Sequence, residues 1–367
     1  MRSTIVIVSL AAAAAFPLPR LRIGEVKQRL ARFGISTAGI VEADALRALL
    51  FDQCPPEAAG AGHAVPLEKV TAADGAMGSG VDVYDKIYYS VRLELSAVAA
   101  ARVRWVLDSA ASNSLITPAA AEALDARATG VTATADTASS TGASGFRQVD
   151  LGEAALPGGL VSGPLQPVVM DLPVAGECGL LGLDFLARHD VDLRLRATMP
   201  CAVFHAPGST ASGELATDGL CLLECARLAS GLLTTGARLQ PDGGEGGAVR
   251  AIVDLGSTVT LINWAAAQAA GLQREGDARV RHTDDVIAGA SGEPVRVAEA
   301  RMTIELGGGA RREGVLVNIA DLPVFAAVGL PGPAAVLGLD SLAPNAEAAG
   351  EGSRVVLGVS AGRVWIE

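Results

Sequence analysis

Two stretches decide the reading of this chain: Trp105-Val106-Leu107-Asp108-Ser109-Ala110-Ala111 and Ala251-Ile252-Val253-Asp254-Leu255-Gly256-Ser257. Each is an apolar run that delivers one Asp and is followed at once by small residues. A helix N-cap residue type stands nine positions beyond each Asp, Thr117 (117 − 108) and Asn263 (263 − 254). Between Asp and cap, Ser114-Leu115-Ile116 corresponds to Thr260-Leu261-Ile262. Further on, Gly142-Ala143-Ser144-Gly145 recurs as Gly289-Ala290-Ser291-Gly292, at 34 (142 − 108) and 35 (289 − 254) residues past the respective Asp. Each series closes on Leu-Gly-Leu-Asp, at 181–184 and 337–340. A single Asp followed by small residues says little. The same features in the same order at nearly the same spacing point to an internal duplication.

Working outward, 367 residues exceed one ordinary domain and supply apolar residues for two cores. A formal net charge of −11 argues against nucleic acid as the main partner, because phosphate binding needs clustered Lys and Arg. No uninterrupted apolar span is long enough for a mature transmembrane helix. The cysteines at 54, 178, 201, 221 and 225 have neither zinc-ligand nor redox-pair spacing. One or two disulfides, such as Cys201 with Cys221 or Cys225, stay open as an expectation. The histidines at 63, 189, 205 and 282 are scattered, so metal catalysis and Ser-His-Asp chemistry have little support.

Residues 1–16 read as a signal peptide, with Arg2 before a short apolar run that ends at Phe16-Pro17. A signal anchor or a buried strand are the alternatives. The secretory pathway is therefore the expected location, and the same run is similar to bipartite plastid presequences. Residues 22–52 carry Ile23, Val26, Leu30 and Phe33 at helical spacing, then a second short helix with Leu46, Leu49 and Leu50. This hairpin resembles a SAP-like module; packing on a neighbour is favoured over the DNA binding known in that family. A linker is assigned to 53–80, a first lobe to 81–205, a connection to 206–219 and a second lobe to 220–367. Many short strands with Gly turns imply β-rich lobes. Thr117 with Pro118 should open an Ala-rich helix ending near Gly130, and Asp184 and Asp340 should cap the helices that follow them.

Two carboxylates held together share a proton: one is left as a base toward water while the other, protonated, polarises a carbonyl. At this point the residues resemble the retropepsin and pepsin superfamily of aspartic proteases. The first family motif, which carries the catalytic Asp, matches Asp108-Ser109-Ala110-Ala111 and Asp254-Leu255-Gly256-Ser257. The Gly142 and Gly289 hairpins match the flaps that cover substrate. Leu180-Leu181-Gly182 and Val336-Leu337-Gly338 match the segment beneath the Asp loop. The resemblance implies an all-β, bilobal fold of two lobes related by a pseudo-twofold axis, preceded by the small helical hairpin. It further implies a monomeric endopeptidase acting on extended peptide or unfolded protein, without metal or organic cofactor. Asp108 and Asp254 are the expected catalytic pair, supported by Ser109, Ala110, Gly256 and Ser257. Ala110 departs from the family's Gly, and Leu255 from a Thr or Ser whose hydroxyl braces the two loops. A peptide-binding pseudoprotease is the alternative. Ser257 is expected to bond Asp254 through its hydroxyl and so to make Asp254 the ionised partner.

Overall fold

The computed structural model describes Lys27, Ser36 and residues 62–71, 87–96, 103–135, 143–157, 159–172, 178–195, 200–287, 295–344, 346 and 352–367. The chain divides after Pro55, and all of these except Lys27 and Ser36 lie in the unit Pro56–Glu367. The signal peptide and the body of the SAP-like hairpin fall outside the described residues.

The apolar run before each Asp is a strand flanked on both edges. Arg104–Leu107 lies parallel to Cys178–Leu181, and Gly247–Val253 lies parallel to Ala334–Leu337. Strands covered on both faces read as continuous apolar runs instead of alternating ones, which is the pattern of Trp-Val-Leu and Ala-Ile-Val. Around each pair an eight-stranded sheet is built. In lobe one its order is Glu68–Thr71, Ile87–Arg92, Arg104–Leu107, Cys178–Leu181, Leu115–Ile116, Val168–Val169, Ala143–Asp150 and Arg127–Ala135. In lobe two it is Ala226–Arg227, Leu233–Pro241, Gly247–Val253, Ala334–Leu337, Leu261–Ile262, Arg311–Ile319, Val295–Leu306 and Val280–Ile287. Position for position, the strands that carry the matched sequence features occupy matched places. In lobe two Leu233–Pro241 pairs also with Val295–Leu306, which curls that sheet back on itself.

A six-stranded antiparallel sheet joins the lobes. Its order is His63–Pro66, Cys201–His205, Asp190–Leu195, Ser353–Gly358, Arg363–Ile366 and Cys221–Glu224. At its centre Asp190 opposes Gly358 and Leu195 opposes Ser353. The buried Asp192 carboxylate accepts from Arg354 (Nε 2.8 Å, Nη2 3.1 Å) and from Arg194 (Nη2 2.9 Å, Nε 3.1 Å), so one lobe's acid is held by an arginine of each. The fold is thus the all-β, two-lobed architecture expected.

Several local expectations are corrected. The segment read as a linker contains the strands His63–Pro66 and Glu68–Thr71, whose short apolar content was masked by flanking Gly, Ala and Pro. The helix opened by Thr117 does start with Pro118 and is capped on Ala120 N, but it ends at Ala123. Asp125 then takes a left-handed turn, and Gly130 lies within the strand Arg127–Ala135. The connection at 206–219 holds a single helical turn, Ser209–Ser212. None of Cys178, Cys201, Cys221 and Cys225 is joined in a disulfide, so the disulfide expectation fails for these four. No helix among the described residues is long and apolar enough to cross a membrane.

Candidate active site

Each Asp leaves the end of its strand with its N–H still bonded to the neighbouring parallel strand, Asp108 to Leu181 O and Asp254 to Leu337 O, both 3.0 Å. The loop then doubles back. Leu183 N donates to Ala111 O and Leu339 N donates to Ser257 O, both 2.8 Å. Beneath each loop a glycine permits this approach. A Cβ on Gly182 would lie 2.6 Å from the Asn113 carbonyl carbon, and one on Gly338 would lie 2.5 Å from that of Val259. The Asp of each Leu-Gly-Leu-Asp fixes the same loop from below. Asp184 accepts from Ser114 Oγ at 2.7 Å, and Asp340 accepts from Thr260 Oγ1 at 2.6 Å and Thr260 N at 2.8 Å. This corrects the capping role expected of them: the N-caps are Gly182 and Gly338, while the two carboxylates stand in the first turn and tie it to the Asp loop.

The two loops meet. The side chains of Asp108 and Asp254 share a hydrogen bond, and each is partly enclosed by protein atoms. Gly256 packs so closely on the opposite loop that a Cβ there would sit 2.6 Å from Asp108 Cγ. Ala110 N donates to Asp108 Oδ1 and Gly256 N donates to Asp254 Oδ1, both at 2.8 Å; Ala111 N and Ser257 N add a second donor each. The Ser109 hydroxyl bridges the loops, donating to Val253 O at 2.8 Å and accepting from Leu255 N at 3.0 Å. Leu255, itself buried, offers no hydroxyl in return.

Burial lifts both carboxyls above their ordinary range. For Asp108 the lift is opposed by the N–H groups of Ala110 and Ala111 and by the bond from Asp254. For Asp254 burial is reinforced by the charge of Asp108, which carries it well above the ordinary range. The pair therefore holds a proton to higher pH than a lone carboxyl would. The bond expected from the Ser257 hydroxyl to Asp254 is not made, because that hydroxyl donates to Val259 O at 2.7 Å.

Of the hairpin residues, Ala143, Ser144 and Gly145 lie on the strand Ala143–Asp150, with Gly145 in a left-handed conformation. Gly142, Gly289, Ala290, Ser291 and Gly292 are outside the described residues. The sequence reading missed Tyr88, on the strand Ile87–Arg92. Its hydroxyl is shifted upward by burial and then by the charges of Asp254 and Asp108, so it lies within electrostatic reach of both. Its only signal in the sequence was its place one strand before Asp108, and the connection between those strands has no readable length rule. No group of side chains suited to holding a metal is found among the described residues.

Residues 97–185, a stretch containing Asp108, its loop and Gly182, match the family described as Aspartyl protease. The first lobe carries the aspartic-protease signature. The matched stretch lies within the first lobe, and the likeness to aspartic proteases by sequence is of that stretch. No curated protein matches it. Among solved structures, one similar to it is the basic 7S globulin from soybean, at a TM-score of 0.41 and 9% identity, covering 84% of this chain and 95% of that one.

Proposed function

We propose that the protein is an aspartic endopeptidase that hydrolyses peptide bonds with a water activated between Asp108 and Asp254. The observation that supports this most is the hydrogen bond between two carboxyl groups delivered by equivalent loops of two lobes. In this reading Asp108, ionised, takes a proton from the water as its oxygen attacks the amide carbon, while Asp254 gives its proton to the carbonyl oxygen. The resulting tetrahedral species collapses as the amide nitrogen is protonated and the C–N bond breaks, which returns the pair to one shared proton. Substrate lies extended between the lobes, its backbone pairing with the strand that carries Gly145 and with its counterpart Val295–Leu306. The matched strand orders and loop bonds favour the reading that the halves arose by duplication.

A peptide-binding pseudoprotease is the second reading. It is favoured by the one-sided brace, in which Ser109 bridges the loops and Leu255 returns no matching hydroxyl. The test incubates purified protein with an unfolded substrate from about pH 3 to 7, alongside Asp108→Asn and Asp254→Asn. Cleavage by the wild type and loss in both variants supports the endopeptidase. Cleavage that persists in either variant refutes the pair, and binding without cleavage favours the pseudoprotease. Entry into the secretory pathway belongs to the same proposal and is checked by whether residues 1–16 are removed from the exported protein.

A further inference from the structure

The site described so far is built from two equivalent loops, yet the strands beside them differ. In lobe one Ser90 opposes Val106 and Arg92 opposes Arg104 in an antiparallel ladder. Carried two residues further, that register sets Tyr88 beside Asp108. Directly opposed residues of an antiparallel pair project from the same face, with Cβ atoms about 5 Å apart. The alternation agrees: Tyr89, Val91, Trp105 and Leu107 face the core, whereas Val106 stands outside that cluster on the face shared with Tyr88 and Asp108. In lobe two Thr234 opposes Ile252, and the same extension sets Leu232, a buried residue, beside Asp254. One acid thus has a phenol for a neighbour and the other an isobutyl group.

The Tyr88 ring is half-buried. A half-buried phenol beside a dyad usually has a partner for its O–H when the site is filled. From this placement we infer that Tyr88 contacts substrate, donating a hydrogen bond to the tetrahedral oxygen formed on the Asp108 side of the reacting carbon. The inference rests on the endopeptidase reading and adds to it a donor from lobe one alone. The hydroxyl feels both carboxylate charges, that of Asp254 more than that of Asp108, which places it near the pair as a whole. Because that oxygen reaches its tetrahedral position only once attack has begun, the bond favours the transition state over bound peptide and acts on kcat more than on KM.

The test compares wild type, Tyr88→Phe, Tyr88→Leu and Asp108→Asn, using one fluorogenic peptide and thermal melting of each protein. If the wild type cleaves and Asp108→Asn does not, the parent reading holds and Tyr88 is judged by itself. The expected result is a kcat about tenfold or more lower in Tyr88→Phe, with KM within about twofold and an unchanged melting temperature. Wild-type kcat in Tyr88→Phe, with loss only in Tyr88→Leu, means that the ring merely fills space and overturns the inference. If the wild type cleaves nothing, a statine-type peptide, whose hydroxyl mimics the tetrahedral oxygen, is titrated instead. Weaker binding by Tyr88→Phe then supports the contact while the endopeptidase reading fails; equal binding, or no binding to the wild type, overturns it.

Discussion

Ser109→Ala is the most informative single change, because one oxygen atom makes both bonds of the bridge between the Asp loops. The substitution removes the bond to Val253 O and the bond from Leu255 N, at 2.8 and 3.0 Å, in a place closed to water. Each buried backbone group left without a partner costs about 1–3 kcal/mol, so the pair is worth about 2–6 kcal/mol. For a chain of this size the melting temperature falls by about 2 °C per kcal/mol, which gives a drop of about 4–12 °C by calorimetry. A second variant isolates the cause. Leu255→Thr alone loses leucine packing worth about 1–2 kcal/mol, but it supplies a hydroxyl from the other loop. Combined with Ser109→Ala it should therefore recover part of the loss, with a coupling of about 1 kcal/mol in the double-mutant cycle. A Ser109→Ala protein melting within a degree of wild type would refute the reasoning, since no second hydroxyl stands ready to take over.

Further outcomes concern acid, the seam and the loop floor. Asp254 is held above its unfolded range, so the native state keeps a proton that the unfolded chain releases; between those two pKa values stability falls as pH rises. Asp254→Asn has no such proton, and its melting temperature relative to wild type should increase as pH rises through that window, a trend that differential scanning fluorimetry reads directly. Activity should decline at higher pH when Asp254 loses its proton, and at lower pH when Asp108 gains one. Asp192→Ala strands the guanidinium groups of Arg194 and Arg354 against the inter-lobe sheet. It should cost about 3–5 kcal/mol in urea unfolding. Gly338→Ala pushes a methyl group into the Val259 backbone, and an overpacking cost of at least about 1–3 kcal/mol should come with loss of peptide cleavage.

The sequence made the symmetric parts of this molecule readable and hid the asymmetric ones. The Asp strands, the capped helices and the Leu-Gly-Leu-Asp turns stood out because each occurs twice at matching spacing, and a coincidence of spacing is visible without coordinates. Tyr88 has no counterpart, since Leu232 takes its place, and it is brought to Asp108 by a hairpin whose register cannot be counted from residue types. The direction of the Ser257 hydroxyl depended on which of two nearby acceptors it met, a choice made by loop geometry. Asp184 and Asp340 precede helical residues, a position that in sequence marks a helix opener. Their hydroxyl partners, Ser114 and Thr260, lie 70 and 80 positions away in the chain. The strand His63–Pro66 finds its place only through its pairing with Cys201–His205, which no local pattern announces.

The central pair of the six-stranded sheet has a symmetry of its own. Asp190–Leu195 and Ser353–Gly358 are each the first strand after a Leu-Gly-Leu-Asp turn, and they run antiparallel to one another with equal overlap. Like thus meets like across this seam, the relation found in a twofold dimer of identical subunits. A polypeptide made of either half alone would expose that strand as an open edge whose best-fitting mate is another copy of itself. Such a pair would bring two Asp loops face to face. The covalent link between halves is therefore what frees the flanking positions to diverge, giving a phenol to one acid and a leucine to the other, a difference that no pair of identical chains can encode.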